Sequence, residues 1–168
     1  PYAVYNSGSG TVEFNGAAAQ NYFNRGSLRN VVMNNTGAGV VLGNSGATDW
    51  MVISGVLTLT QGRITTGANR VFVPNPAPTA VTSGNNSSFV EGFLIRSFAP
   101  TGGIYDFPVG TALRGYQRIK FDFGSTNDRS NATVSFNNTS PATPAPVLGP
   151  ECVTATYDQT PLNHGYWL

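Results

Sequence analysis

Charged residues are scarce in this chain. They make up 10% of 168 residues, against roughly a quarter in an ordinary soluble domain. Lys120 is the only lysine, and the net charge is +1. With no basic run to neutralise phosphates, no nucleic-acid partner is expected, and there is no acidic tail either. No stretch reaches the roughly 18 apolar residues of a membrane helix. Pro1-Tyr2-Ala3-Val4-Tyr5 lacks the charged and long apolar regions of a signal peptide. Cys152 stands alone, so no disulfide can form within the chain; it is expected to be a small buried apolar side chain. Helical periodicity is missing too: no window keeps apolar residues at i, i+3, i+4 and i+7 for three turns.

What is present is folded and β-rich. Some 40% of the residues are hydrophobic, and the chain lacks the high charge and low hydrophobicity of disordered sequences. Short runs of β-formers recur, among them Thr11-Val-Glu-Phe14, Val31-Val-Met33, Val40-Val-Leu42, Val56-Leu-Thr-Leu59, Val71-Phe-Val73 and Phe93-Leu-Ile95. Between them sit Asn15-Gly16, Asn34-Asn35-Thr36-Gly37, Gln61-Gly62, Thr66-Gly67 and Ser83-Gly84-Asn85-Asn86, residues that accept turn conformations. Segments beginning at Thr11, Asn30, Asp49, Asn69 and Ser88 follow one another every 19 or 20 residues. A period of about 20 residues, with several short strands and no helix per repeat, predicts a β-solenoid over residues 1–98.

After Pro100-Thr-Gly-Gly103 the pattern changes. Arg118-Ile-Lys-Phe-Asp-Phe123 and Ala132-Thr-Val-Ser-Phe136 alternate cleanly, as in an antiparallel sheet with one wet face. Val153–Tyr157 and Gly165–Leu168 read as further strands, and Ser140–Pro146 as a stiff extended connector. Residues 99–168 are therefore expected to form a small antiparallel β-sandwich-like module. The apolar terminal strands, carrying Tyr2, Val4 and Tyr5 at one end and Tyr166, Trp167 and Leu168 at the other, are the expected contacts if copies of the chain associate.

The ordered series Gly10–Gly16, Leu28–Asn35, Ile53–Gly67, Phe89–Gly92, Phe107–Gly110 and Gly165–Leu168 resembles a recurring segment of large secreted proteins of Bacteroidetes-type bacteria, including gliding-motility adhesins exported by the type IX system. The resemblance implies a solenoid rod running into a sandwich, built into stalks rather than catalytic sites. It also implies an extracellular, cell-surface location. Partners would then be other copies of the chain or neighbouring segments of a longer one, and surface glycans.

Chemistry is sparse. His164 is the only histidine and no Gly-x-Ser-x-Gly elbow accompanies it. The eight acids never sit as sequence neighbours; in a solenoid Glu13 and Glu91 lie about 19 Å apart at about 4.8 Å per rung, too far for a glycosidase pair. Asp122, Asn127 and Asp128 are the candidate calcium ligands, in a loop that lacks the Gly and Glu of an EF-hand. No other cofactor is expected. Trp50, Tyr22, Tyr105, Tyr116, Tyr166 and Trp167 could stack on sugars. Thr58, Thr60, Thr65 and Thr66 do not recur in register on the other repeats, as an ice-binding face would need. The expectation is a structural, non-catalytic building block of a surface adhesin or filament. A carbohydrate-binding module, with aromatics aligned on one face, and a polysaccharide-active enzyme, with two acids in one groove, are the alternatives.

Overall fold

The computed structural model describes residues 8–23, 26–43 and 50–138, together with the backbone of 166–167. The chain is all-β, and its first part is a β-solenoid of about four turns. The first coil carries β1 (Thr11–Phe14), β2 (Gln20–Tyr22) and β3 (Ser27–Leu28); the second carries β4 (Asn30–Asn34), β5 (Val40–Leu42) and β6 (Trp50–Ile53). In the third, β7 (Leu57–Gln61) is followed by one long strand, β8 (Ile64–Val73), and in the fourth β9 (Val81–Thr82) is followed by β10 (Val90–Ser97). Then come β11 (Ile104–Thr111), β12 (Gly115–Asp122), β13 (Asn131–Val134), β14 (Phe136–Asn137) and β15 (Tyr166–Trp167).

Three faces arise from these coils. One is a parallel sheet in the order β1-β4-β7-β9. The second stacks β2, β5 and the first half of β8; the third stacks β3, β6 and its second half. The corner inside β8 is at Gly67, φ 58°, and the matching corner in β10 is at Gly92, φ 123°, where the register shifts. There the Phe93 N–H leaves the ladder and donates to the Thr66 hydroxyl at 3.1 Å.

The core follows from alternation within each strand. Val31 and Leu57 pair across the first face, and Leu57 pairs with Val81; all three are buried. Val40, Ile64, Val90 and Val109 form the second column. Met51, Val71 and Leu94 form the third. Each such side chain gains about 1.5–3 kcal/mol on burial.

The repeat is less regular than the sequence spacing suggests. Thr11 stacks on Asn30, an offset of 19, but Val31 stacks on Leu57, an offset of 26, and Leu57 on Val81, an offset of 24. The apparent 20-residue period joins true neighbours (Thr11 with Asn30, Trp50 with Arg70) to strands of different faces. Turn lengths vary from coil to coil, and a solenoid tolerates this because only the strands must stay in register.

Residues 104–134 form no second facing layer of their own. β11 runs parallel to the first half of β10, β12 returns antiparallel to β11, and β13 pairs antiparallel with the second half of β10. All extend the solenoid's nine-stranded sheet. The expected alternation of β12 is present, with Ile119 and Phe121 half-buried and Arg118, Lys120 and Asp122 exposed. The apolar face, however, packs into the same core cluster as the end of the solenoid.

Candidate functional site

The asparagines at the turns link one coil to the next. Asn35 is fully buried. Its Oδ1 accepts from the N–H groups of Gly37 and Gly39, at 2.8 and 3.1 Å, while its Nδ2 donates to Ala18 O and Gln20 Oε1 of the preceding coil, both at 2.9 Å. Asn75 repeats the arrangement, accepting from Ala77 N–H and donating to Gly55 O. Asn85 accepts from Ser87 N–H at 2.7 Å and reaches Leu59 O and Thr60 O of the coil before it. Buried Asn69 donates to Leu42 O and Gly43 O. An amide suits this task because it carries donors and an acceptor on one rigid plane.

The C-terminal end of the solenoid is closed by Arg96 and a group of aromatic rings. Arg96 occupies the core column above Val73 and is wholly buried. Its Nη1 donates to Asp106 O at 2.7 Å, and its Nη2 to Pro78 O at 2.9 Å and Ala77 O at 3.1 Å. Nε has no partner. The guanidinium lies 5.2 Å from the Tyr105 ring centroid and 5.8 Å from that of Phe107, within cation–π range. Burial lowers its pKa to about 10, against the opposing pull of Asp106 and Tyr105, so it is a cation at neutral pH. Phe98 packs against Tyr105, Phe107, Phe121 and Phe123. The Tyr105 hydroxyl donates to Pro76 O and accepts from Ala99 N–H.

Two depressions mark the surface. A groove of about 380 Å³ crosses the turns of successive coils, lined by Thr36, Gln61, Arg63, Asn86 and Ser87 among others. Beside it Arg63 pairs with Glu91 at 3.2 Å, and Glu91 also accepts from Ala112 N–H at 2.7 Å. A cleft of about 240 Å³ lies between Val81–Gly84 and the β11–β12 hairpin, whose Asp106, Pro108, Tyr116 and Arg118 line it. Arg118 Nε and Nη2 each donate to an Asp106 carboxylate oxygen at 2.7 Å, a bidentate pair. Burial raises the Tyr116 pKa. Ser83, in the wall of the cleft, is the one non-glycine residue with positive φ among the described residues, at 66°; Asn85 Nδ2 donates to its carbonyl at 2.8 Å.

The described acids do not converge on a common groove. Glu13 accepts from Asn34, Glu91 is held by Arg63 and Ala112, Asp106 by Arg118, and Asp122 by the N–H of Gly124 in its own turn. Among the described residues no three His, Cys, Asp or Glu side chains cluster to hold a metal. Of the calcium candidates, Asn127 Oδ1 accepts from Arg129 N–H while its Nδ2 donates to Arg129 O, and Asp128 pairs with Arg129 at 3.3 Å. Asp122 thus serves one turn, and Asn127 and Asp128 another.

The sugar-stacking candidates are dispersed. Tyr105 is in the core and Tyr22 packs edge-on against Phe14. Trp50 shares the third face with Phe72, and Arg70 lies 5.3 Å over the Trp50 ring. Of the described candidates only Tyr116 enters the cleft. Of the threonines, Thr66 is buried and used by Phe93 N–H.

Among the association candidates, Tyr2, Val4, Tyr5 and Leu168 lie outside the described residues, as do Cys152, His164, Asp49 and the side chains of Tyr166 and Trp167. The backbone of 166–167 pairs antiparallel with β14, Phe136 opposite Trp167 and Asn137 opposite Tyr166. One edge of that strand is thus used within the chain rather than offered to another copy. No described helix is long and apolar enough to cross a membrane. Sequence reading gave Arg96 no role; an arginine on the buried side of an apolar strand, between Leu94 and Phe98, is the signal that could have singled it out.

No protein-family model, no curated protein and no solved structure matches this chain.

Proposed function

We propose that this chain is a structural, non-catalytic segment of an extracellular adhesin or filament on a bacterial surface, of the type IX-secreted Bacteroidetes kind its sequence resembles. The observation that carries this reading is the coil-to-coil bonding by turn asparagines. Asn35, Asn69, Asn75 and Asn85 all reach back to backbone carbonyls of the preceding coil. Backbone ladders, stacked columns of core aliphatic side chains and these side-chain bonds all run along one axis, as a stalk requires. Uncharged polar turns supply the hydration that charge supplies elsewhere.

Immunogold labelling of the source cells with an antibody to this chain, combined with electron microscopy of shed material, tests the proposal. Label on the cell surface or along fibres is the expected result. Label confined to the cell interior refutes it. A regular subunit repeat in labelled fibres, with an intact chain mass near 17.7 kDa, identifies a polymerising subunit; a much larger mass without a repeat identifies a segment of a long adhesin.

A second reading, binding of a carbohydrate, is favoured by one feature, the cleft containing Tyr116 and the Arg118–Asp106 pair.

A further inference from the structure

The first face of the solenoid ends at β9, whereas the nine-stranded sheet continues through β11 and β12. The mismatch leaves a step, and the 240 Å³ cleft occupies it. One wall is the short strand β9 and its turn; the other is the hairpin side that carries Asp106, Pro108, Tyr116 and Arg118. Gly84 lets the walls approach: a Cβ there would overlap Pro108 and meet Tyr116 Cε2 at 3.4 Å.

We infer that this cleft binds a single neutral sugar unit, such as one residue of a surface glycan, through the Asp106–Arg118 pair and Tyr116. The inference deepens the carbohydrate reading and is independent of the structural one.

Three features lead to it. The charges of Asp106 and Arg118 offset each other, so an anionic ligand meets the carboxylate and a cationic one meets the guanidinium. A neutral polyol meets both as hydrogen-bonding groups. Their mutual bonds use Nε and Nη2 of the guanidinium and one lone pair on each carboxylate oxygen, leaving Nη1 and further lone pairs for adjacent hydroxyls. The Tyr116 ring, with the edges of the largely buried Val81 and Pro108, supplies an apolar patch for a C–H face, and exposed Ser83 supplies a hydroxyl, while that of Thr82 donates to Thr58 Oγ1 at 3.4 Å. The lining is mostly polar, Thr82, Ser83, Asp106, Tyr116 and Arg118 against Val81 and Pro108, which suits a ligand rich in hydroxyls more than an apolar one. Finally, Ser83 is held at φ 66° by the bond from Asn85 to its carbonyl. Such a conformation in a non-glycine residue costs about 1–3 kcal/mol, and it fixes the Ser83 side chain at the rim.

The test is a titration of the isotopically labelled chain, followed by NMR. The probes are the methyl glycosides of glucose, galactose, mannose and N-acetylglucosamine, with glucuronate and glucosamine as charged comparators. At least one neutral glycoside should shift the amides of Ser83, Gly84, Tyr116 and Arg118 saturably. Both charged comparators should bind about tenfold more weakly or worse. Arg118→Met should weaken the neutral ligand by about tenfold, whereas Lys120→Met, on the same strand and the same side, should leave it unchanged. Tyr116→Phe keeps the ring and should lose only a few-fold, which guards against a misfolded Arg118 variant being misread. The inference is overturned if no neutral glycoside moves those amides, if the shifts centre on Trp50, if glucuronate binds as well as the neutral sugars, or if both Met variants lose binding equally. None of these outcomes touches the surface labelling on which the structural proposal depends.

Discussion

Arg96 shows how one residue can close a solenoid. A coil that simply stopped would leave backbone carbonyls and the apolar column exposed together. The guanidinium fork spans that gap, reaching Asp106 O with one nitrogen and the carbonyls of Ala77 and Pro78 with another. Arg96→Ala should cost about 3–5 kcal/mol, read from the urea midpoint. Arg96→Lys restores the charge without the fork and should still lose about 2 kcal/mol; a lysine variant as stable as the parent would mean that charge alone closes the end. Asn35 makes a parallel case. Asn35→Asp keeps the acceptors for Gly37 and Gly39 but turns the donors to Ala18 O and Gln20 Oε1 into repulsions. The buried carboxyl should titrate above its ordinary value of about 3.9. The folded state then binds the proton more tightly, so the variant's stability should fall as pH rises through that value; denaturation at pH 3 and pH 7 measures it. Tyr116 carries the same sign at the other end of the scale. Burial raises its pKa above 10.0, so its contribution is intact below pH 10 and stability is lost as pH rises beyond it. Tyr116→Phe should flatten that alkaline decline in a thermal melt.

Elements here are defined by their corners as much as by their strands. Gly39 has φ 90°, and a Cβ there would overlap Arg63 O of the next coil; Gly67 has φ 58° with nothing within 4 Å. Gly39→Ala should therefore lose well over the roughly 1 kcal/mol that left-handed backbone alone costs, and Gly67→Ala only about that much, with thermal melts separating the two. The contrast also explains what the sequence made legible. Strand runs and Asn–Gly turns are local, and β1, β4, β5, β7 and the alternation of β12 lie where they were expected. Pairing is not local. Val31 stacks on Leu57 rather than on a residue twenty positions away, because turn lengths vary freely while strand register does not. The sandwich expected over 99–168 is not confirmed by the described part, 99–138, for a related reason, and its strand at Val153–Tyr157 and connector at Ser140–Pro146 lie outside the described residues. Alternation in β12 reveals that one side is apolar but not what that side meets, and here it meets Phe98, Phe107 and the end of the solenoid. The cleft was equally hidden: Ser83 and Tyr116 are brought together only by the step between two sheets.

At the scale of the whole molecule the two ends differ. The C-terminal end is sealed by Arg96 and five aromatic side chains, Phe98, Tyr105, Phe107, Phe121 and Phe123. At the other end the core residues Val12, Phe14 and Tyr22 are only half-buried. Solenoid stability is close to a sum of nearest-neighbour terms between coils, so a strand bonded on both sides should open less often than one bonded on a single side. β8 lies between β10 on one side and β5 and β6 on the other, whereas β1 pairs only with β4 and β2 only with β5 among the described strands. Amide hydrogen exchange should therefore be slowest across Ile64–Val73 and become faster toward Thr11–Tyr22. A gradient of that kind means that the coils open in sequence from the less covered end, each held by its own ladder and asparagine bonds. Equal protection from β1 to β10 would instead mean that the coils unfold as one unit, and that the energy joining neighbouring coils outweighs the energy within each one.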